Sequence, residues 1–358
     1  MTAHALFLLS VGLIFKACYS DVKCRNDQGE DVDWYIVYKP PNVNDSGLSY
    51  LYMDESTGGW KPSREKINSK TGCLANTLKP LLDFYDKTTE GFGYMLYSDQ
   101  PPNPPNSKSI SSSYGHSKGV VMLDRISGFW LSHSTPKFPT YRKREFWPNS
   151  GNANAQMFLC VTFPYQQFKT IGLQLKYINA YSFDSEIPKT FHEELRCVAQ
   201  RSCYPKKAPW FSKKRLNSTR GHSFTSFAKY KRFGDDLYSG LIVDHVSQDL
   251  YVKSWGKMRK PLASNCSSEL AHHVYNVKEV KLQGRKSFSD TVDHSKWCVT
   301  SDGGWTCIAD MNREVSQMGR GGGAICTEDT KVGKAFRALI SNFEQCQESH
   351  SKDHEREL

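Results

Sequence analysis

Two places in the sequence carry the same three residues, and these residues can perform phosphoryl-transfer chemistry. His-Ser-Lys occurs at 116–118 and again at 294–296, and in both places five residues and then an aspartate follow. In extended backbone, side chains two positions apart point to the same face, so each His stands beside its Lys. Two such units together would provide one imidazole to attack phosphorus, another to protonate the leaving oxygen, and two ammonium groups to hold phosphate oxygens.

The spacing between the units predicts an internal duplication. His116 and His294 lie about half of the 358-residue chain apart, and repetition at a long fixed offset is typical of duplicated units. A single His-x-Lys is a short pattern that unrelated surface residues also produce. The longer repeated form favours function, and we expect His116, Lys118, His294 and Lys296 to converge in one positively charged cleft.

The elements around each unit predict that it stands at the head of a β-hairpin. Runs rich in β-branched and aromatic residues follow both units, at 119–123 and 297–300, and a second run follows each, at 129–134 and 305–309. Further strands are predicted at 32–39, 49–54, 92–98, 155–165, 172–177 and 271–280, strand-like alternation at 237–251, and helices at 74–86, 191–199 and 332–346.

Charge and the amino terminus indicate an exported protein with an anionic partner. The formal net charge is +10, which suits nucleic acid, a membrane surface or acidic glycans. Residues 1–20 resemble a signal peptide, with an apolar run at 5–15 and small residues before a cut after Ser20. No later segment has the roughly 18 apolar residues of a membrane span. A lysosomal or secreted destination is therefore expected.

The cysteines and sequons agree with export. Ten of the 11 cysteines remain after the signal peptide, and an even number in an exported chain indicates disulfides, not a free thiol nucleophile, with the pairing left open. Asn44, Asn217 and Asn265 begin Asn-x-Ser/Thr sequons, which predict glycosylated loops. Cysteine and histidine spacing does not suit zinc, so neither a metal nor a cofactor is expected.

Two other stretches have two interpretations each. Residues 206–232 interleave nine Lys and Arg residues with aromatic rings, which suits a surface that tracks a polyanion or a solvated linker. The glycine run 320–323 could let backbone amides approach a phosphate, or it could allow strands to pack closely.

These motifs together resemble the deoxyribonuclease II family of acid endonucleases. The resemblance rests on 114–119, 130–134, 293–297 and 320–323, and it covers about 21–346. The basic charge points to the beta form of the family. The resemblance implies an α/β fold of two phospholipase D-like halves, each a mixed sheet with flanking helices, packed as an intramolecular pseudo-dimer. The halves would be 21–200 and 201–346, followed by a polar tail at 347–358.

The resemblance also implies a reaction and site residues. It implies metal-independent cleavage of double-stranded DNA at acid pH, with 3′-phosphate and 5′-hydroxyl products. His294 would be the nucleophile that forms a phosphohistidine, His116 the general acid and then the base, and Lys118 and Lys296 the phosphate-holding groups. His133 is implicated as well, with a purely orienting or core role as the alternative.

The chain departs from the phospholipase D superfamily at one point. That superfamily has four residues between Lys and Asp, whereas five precede Asp124 and Asp302 here, so these aspartates are not carried over. Two rival functions remain, a lipid phosphodiesterase and a non-catalytic polyanion-binding glycoprotein. Acid activity has an expected cause, because a histidine of ordinary pKa, about 6.5, is charged only below neutrality. The sequence leaves monomer or homodimer undecided.

Overall fold

The structure is a computed structural model that describes residues 22–43, 46–87, 90–102, 109–267 and 271–346. The signal peptide, the polar tail and the sequon at Asn44 lie outside these residues, so those three assignments stay predictions. The fold is mixed α/β, built from two large sheets. In the described residues, no helix combines the length and the apolar character that crossing a membrane requires.

The first sheet is formed by the amino-terminal part of the chain. Eight of its strands join in the spatial order β10-β6-β7-β8-β9-β3-β4-β5, and two short strands, β1 and β2, pair separately. The strands are β1 (Cys24–Arg25), β2 (Asp31–Val32), β3 (Trp34–Lys39), β4 (Leu51–Asp54), β5 (Lys61–Pro62), β6 (Gly93–Ser98), β7 (Lys118–Leu123), β8 (Ser127–His133), β9 (Gln156–Pro164) and β10 (Ser182–Glu186).

The second sheet is formed by the carboxyl-terminal part. Its order is β11-β12-β18-β17-β16-β13-β14-β15, with β19 also paired to β14. The strands are β11 (Phe211–Asn217), β12 (Ser223–Lys229), β13 (Leu250–Lys253), β14 (Val274–Val280), β15 (Phe288–Ser289), β16 (Trp297–Thr300), β17 (Thr306–Ala309), β18 (Gly322–Thr327) and β19 (Ile340–Phe343).

Five strands of each sheet correspond. The series β6-β7-β8-β9-β3 and the series β13-β16-β17-β18-β12 have the same neighbours and the same order along the chain, and every adjacent pair is antiparallel. The edge strands differ, because β14 precedes β16 in the chain whereas β10 follows β9.

Helices cover the sheets in layers. Helix α1 packs on the outer face of the first sheet, and a single core between the two sheets includes buried residues of α2, α3 and α6. The helices are α1 (Cys73–Asp86), α2 (Gln167–Ile178), α3 (Glu193–Ala199), α4 (Val243–Val246), α5 (Val315–Met318) and α6 (Thr330–Arg337). The apolar residues of α1 recur every three to four positions, which is why it buries one face.

Two strand predictions are wrong. Residues 172–177 belong to helix α2, because the Leu-Gln-Leu-Lys-Tyr run imitates strand alternation while Phe168, Ile171, Leu175 and Ile178 are buried at helical spacing. Residues 237–251 form a π-helical turn at 238–242 and then α4, and only Leu250–Lys253 is a strand.

The predicted terminal helix at 332–346 is too long. Helix α6 ends at Arg337, and Ile340–Phe343 turns back as β19 to pair with β14.

The prediction of disulfides is confirmed, although two of the ten cysteines stay unpaired. Four bridges form, Cys24–Cys160, Cys197–Cys203, Cys266–Cys346 and Cys307–Cys326. Cys73 and Cys298 are free and buried. Burial raises the pKa of both thiols, so neither is an accessible thiolate nucleophile.

The basic stretch is part of the second sheet and is not a linker. Residues 211–229 form the antiparallel pair β11–β12, with β11 at the edge. Phe224, Phe227 and Tyr230 are buried in the core, so these three rings do not face solvent for stacking on bases. The exposed charges of Lys213, Lys214 and Arg215 suit an edge strand that must avoid pairing with other chains.

Candidate active site

Both His-x-Lys units lie where the sequence predicted, at the start of a hairpin. Lys118 is the first residue of β7, which pairs with β8, and Lys296 directly precedes β16, which pairs with β17. The carboxylates of Asp124 and Asp302 accept hydrogen bonds within the turns at the far ends of these hairpins. The repeated five-residue gap therefore measures strand length, and the two aspartates lie away from the histidines.

The second sheet holds His116. The backbone N–H of His116 donates to the carbonyl of Gly321 at 2.8 Å, and its Nδ1 lies 2.7 Å from the carbonyl of Asp310. A carbonyl only accepts, so Nδ1 carries the proton and Nε2 is left for chemistry. A Cβ on Gly321 would clash with the carbonyl of Ile178, which supports the close-packing interpretation of the glycine run.

The first part of the chain in turn holds His294. Its N–H donates to the carbonyl of Ala155 at 2.9 Å, and Ala155 also bonds Val292. The ring packs edge-on against Trp255, with centroids 4.1 Å apart. Its Nε2 is buried and has no hydrogen-bond partner among the described residues. The backbone bonds are thus reciprocal, since each unit is fixed by the part of the chain that carries the other.

The four predicted residues come together, and their charges act on each other. Burial lowers the pKa of His116 to about 3, with Lys118 and Lys296 adding to the effect and Asp99 opposing it. Burial likewise lowers the pKa of His294 to about 2, and Lys296 and Lys118 lower it further. The charges of both lysines therefore act on each ring, as a single site requires. Both rings are neutral near pH 5, so the expectation of a histidine of ordinary pKa is wrong for the DNA-free protein.

The two lysines are held differently. Lys118 forms a buried ion pair with Asp99 at 2.7 Å, and Arg320 contacts the other oxygen of Asp99 at 3.1 Å. Although burial works against it, the charges of Lys118, His116 and Arg320 hold the pKa of Asp99 below its ordinary value. Among the described residues, Lys296 donates only to the carbonyl of His294, at 2.6 Å. Burial, followed by the charge of Lys118, lowers its pKa to about 7.

Asp310 is a site residue that sequence reasoning missed. Its carboxyl group accepts from the N–H of Gly323 at 3.1 Å, and the other carboxyl oxygen is buried without a partner among the described residues. Burial raises its pKa to about 8. Ser134 occupies the matching position after β8 and bonds the N–H of Met157 in the same way, at 3.0 Å. The only sequence signal was its place at the end of the second hairpin.

A buried network behind His294 was also missed. Lys253, at the end of β13, pairs with Asp293 at 3.2 Å, and neither side chain is exposed. Tyr38 of the first sheet donates to Asp293 and bonds Ser295 at 2.9 Å. The network fixes the backbone on both sides of His294. Asp293 directly precedes the motif and Lys253 ends a strand, so both residues can be located in the sequence. Their contact joins distant parts of the chain, which a local pattern does not predict.

His133 lies beside Lys118, because the pairing of Gly119 with Ser132 places His133 and Lys118 next to each other on β8 and β7. It is the last residue of β8, and its ring packs between Phe138 and Phe158. Its Nδ1 accepts from the N–H of Thr135 at 3.2 Å. Burial, with a contribution from Lys118, lowers the pKa of His133 well below its ordinary value. Its Nε2 is buried without a hydrogen-bond partner among the described residues, so a direct role and an orienting role both stay predictions.

The two described sequons differ in surroundings. Asn217 is exposed at the end of β11, whereas the backbone of Asn265 pairs with Val274, beside the Cys266–Cys346 bridge. Glycosylation at both positions stays a prediction. Among the described residues, no three His, Cys, Asp or Glu side chains are grouped as ligands for a metal ion.

Comparison with known proteins finds one family model and several relatives, each of which covers most of the chain. Residues 23–346 match the family model for deoxyribonuclease II. The chain is 36% identical to deoxyribonuclease-2-beta of Homo sapiens over 350 residues, covering 95% of this chain and 96% of the relative. It is 39% identical to deoxyribonuclease-2-alpha of Sus scrofa over 339 residues, 91% of each chain. Identity to plancitoxin-1 of Acanthaster planci is 37% over 338 residues, 91% and 92% of the two chains.

Proposed function

Because the chain belongs to the deoxyribonuclease II family, a family of nucleases, we propose that it is an acid endonuclease. It hydrolyses double-stranded DNA without a metal ion, through a phosphohistidine intermediate, and leaves 3′-phosphate and 5′-hydroxyl ends. The observation that carries this proposal is the single cluster of His116, Lys118, His294 and Lys296. The enzyme acts in the lysosome or after secretion, and the support for this is the signal peptide, sequons and cysteine number of the sequence.

We further propose that 21–200 and 201–346 are duplicated phospholipase D-like halves packed as a pseudo-dimer. The matching five-strand series supports this, and so do matching buried lysines. Lys39 pairs with Gln156 and Lys229 with Gly322, at equivalent strand positions. Each of these two ammonium groups is unexposed and donates to three backbone carbonyls. Such detailed correspondence is typical of duplication.

In the first step, His294 attacks the phosphorus. Its Nε2 lone pair forms the N–P bond while the bond from phosphorus to the 5′-oxygen breaks, and that oxygen takes the proton from Nε2 of His116. Lys118 and Lys296 hold the non-bridging oxygens as negative charge develops on them. The products are a free 5′-hydroxyl strand and a 3′-phosphoryl group on His294.

In the second step, His116 acts as the base. Its Nε2, now neutral, takes a proton from water, and the oxygen of that water attacks phosphorus. The N–P bond breaks and the 3′-phosphate leaves, so His294 is regenerated. The carbonyl of Asp310 keeps the proton on Nδ1 of His116 in both steps, and therefore Nε2 faces the reaction throughout.

The different surroundings of the two rings support this division of roles. Tyr97 pairs with Gly119 and Lys253 pairs with Trp297, so Asp99 and Trp255, two residues further on, stand at equivalent positions. Asp99 favours a protonated His116, which suits an acid. Trp255 packs on His294 and helps to keep it dry and neutral, which suits a nucleophile.

Acid activity then has a cause different from an ordinary histidine pKa. The negative phosphodiester enters a site whose lysines depress both histidines, and it raises the pKa of His116 towards the working pH. Low pH favours this protonation. As the pH rises through about 7, Lys296 loses its proton and the site loses a phosphate-holding charge. Both effects act in the same direction, so activity falls towards alkaline pH.

We expect the imidazole NMR signals of His116 and His294 not to titrate between about pH 5 and pH 8 in the DNA-free protein, because the pKa values of both rings lie near 3 and 2. His116→Gln and His294→Gln assign the signals. An uncleavable phosphorothioate DNA should bring the His116 signal into this range. Titration of either ring near pH 6.5 without DNA would contradict the electrostatic account.

We expect plasmid cleavage at about pH 5 to persist in EDTA, since only imidazole and ammonium groups perform the steps. The assay is nicking of supercoiled plasmid, with a phospholipid incubated in parallel under the same conditions. Loss of nicking on chelation and its return with Mg²⁺ would refute the metal-free mechanism. Phospholipid hydrolysis without nicking would favour the lipid phosphodiesterase instead.

A further inference from the structure

A second basic surface lies outside the phosphoryl site. Two cavities of about 650 and 520 Å³ adjoin at Gly284. The first lies between residues 58–61, residues 281–284 and helix α6, and the second between residues 40–43 and residues 284–288. We call the pair the basic trough, after the six basic residues that line it, Lys61, Lys281, Arg285, Lys286, Lys331 and Lys334.

Most of the basic residues of the trough carry exposed charges. No Asp or Glu of the described residues lines either cavity, although the chain has 37 acidic residues against 47 basic ones. Lys61, Lys281, Lys331 and Lys334 are exposed, and their ammonium groups form no hydrogen bond or ion pair within the described residues. Like charges around a concave surface repel each other and focus the field, and this arrangement concentrates anions.

The floor of the trough is apolar. Trp60, Leu282 and Leu339 are buried there, and the indole N–H of Trp60 donates to the carbonyl of Ala335 at 3.2 Å. Because these side chains are buried, they shape the trough, and the lysines above them are the groups that can contact the phosphates of a ligand.

The trough runs from the end of the sheets that holds the site towards the far turn of the second hairpin, where Gly333 of α6 packs on Gly303. Lys281 follows β14, which runs parallel to β13, and Lys253 at the end of β13 pairs with Trp297, next to Lys296. The other cavity reaches residues 40–43, and Asn42 bonds Ala153, close to the Ala155 that holds His294.

We propose that the basic trough is a DNA-binding exosite, which holds the phosphate backbone of the substrate on one side of the scissile bond. This inference rests on the proposed nuclease function and adds a binding surface to it. The trough is concave, whereas a membrane surface is flat and is bound by protruding apolar groups. An anionic bilayer therefore fits the trough less well than a nucleic-acid strand.

The test compares two double variants in an inactive His294→Ala background for binding, and in the active enzyme for turnover. Lys331→Gln with Lys334→Gln removes two trough charges from α6. Lys79→Gln with Lys169→Gln removes two exposed charges from α1 and α2, outside the trough. The measurements are affinity for a duplex between about 50 and 200 mM salt, and kcat/KM on plasmid and on a small aryl phosphodiester.

We expect the trough variant to bind the duplex on the order of tenfold more weakly at about 0.1 M salt. The slope of log affinity against log salt should fall by about 1.8, since each phosphate contact contributes about 0.9. Its kcat/KM should fall on plasmid and stay unchanged on the aryl substrate, and the α1/α2 variant should match the parent protein.

Other outcomes would overturn the exosite. An unchanged salt slope, or equal losses in both double variants, would show that the trough contributes only general charge. Binding of phosphatidylserine vesicles that depends on Lys331 and Lys334, with unchanged DNA affinity, would assign the trough to membranes. Failure of the parent enzyme to cut DNA at all would refute the proposed function itself, a result distinct from either of these.

Discussion

Replacing His294 with alanine is expected to abolish hydrolysis of every phosphodiester, because the first covalent bond is made by its Nε2. The expected loss in kcat/KM is on the order of 10⁴–10⁶-fold, as for other removed nucleophiles. His116→Ala should lose about 10²–10⁴-fold on DNA, whose 5′-oxygen needs a proton to leave. The leaving group of an aryl phosphodiester is a stabilised phenolate, which does not need a proton to leave. On such a substrate, His116→Ala should keep substantial first-step activity.

The lysine variants and a control define the scale of these losses. Lys118→Ala and Lys296→Ala should each cost on the order of 10²–10³-fold, by analogy with the loss of one oxyanion donor. His272→Ala removes a histidine outside the site and should leave the rates unchanged. Rescue of His294→Ala by the aryl substrate would reverse the two roles, and rescue of neither variant would remove the support for both assignments.

The largest stability effect is expected at Lys253. Its ion pair with Asp293 is unexposed, so Lys253→Met leaves a buried carboxylate that has lost its countercharge. Breaking such a pair costs about 3–5 kcal/mol in the free energy of unfolding. Lys79→Met breaks an exposed pair with Asp83 within α1 and should cost no more than about 0.5 kcal/mol. Urea unfolding with the disulfides intact provides the measurement.

A second variant separates the charge from packing. Adding Asp293→Asn to Lys253→Met removes the stranded charge, so the double variant should be more stable than Lys253→Met alone. If Lys253→Met costs no more than Lys79→Met, or if Asp293→Asn worsens it, the pair is not what holds the His294 backbone.

The local part of the site was predictable from the sequence. The His-x-Lys units, the hairpins that follow them and helix α1 all depend on residues close together in the chain, where strand and helix periods are visible. For the same reason, α2 was mistaken for a strand, since five of its residues alternate like one. A short window contains too little of the helical period to separate the two.

The long-range part of the site was not predictable. Asp99 and Trp255 lie 17 and 39 positions from the histidines that they affect, His116 and His294, and Asp310 lies at the end of a strand in the other sheet from His116. Nothing in the local sequence pattern identifies these three residues as part of the site. The pKa values of the two histidines depend on burial and on lysines from both sheets. The ordinary histidine pKa of about 6.5 is therefore wrong for both rings. The pairing of eight cysteines, and the freedom of Cys73 and Cys298, likewise follow from the packing of the sheets.

The central claim is that one site contains both histidines, with His294 carrying the phosphoryl group and His116 acting as the general acid and then the base. The most direct test is to quench the reaction of His116→Ala with an aryl phosphodiester in alkali, digest with trypsin and locate the phosphoryl group by mass spectrometry. The unsubstituted sequence gives two diagnostic peptides, 109–118 and 287–296, each with one histidine, so His116→Ala keeps only the histidine of 287–296 and His294→Ala only that of 109–118. The account predicts phosphohistidine in 287–296, and none in His294→Ala. Phosphorylation of 109–118 in His294→Ala, which keeps His116, or turnover by His116→Ala with 287–296 unmodified, would contradict it.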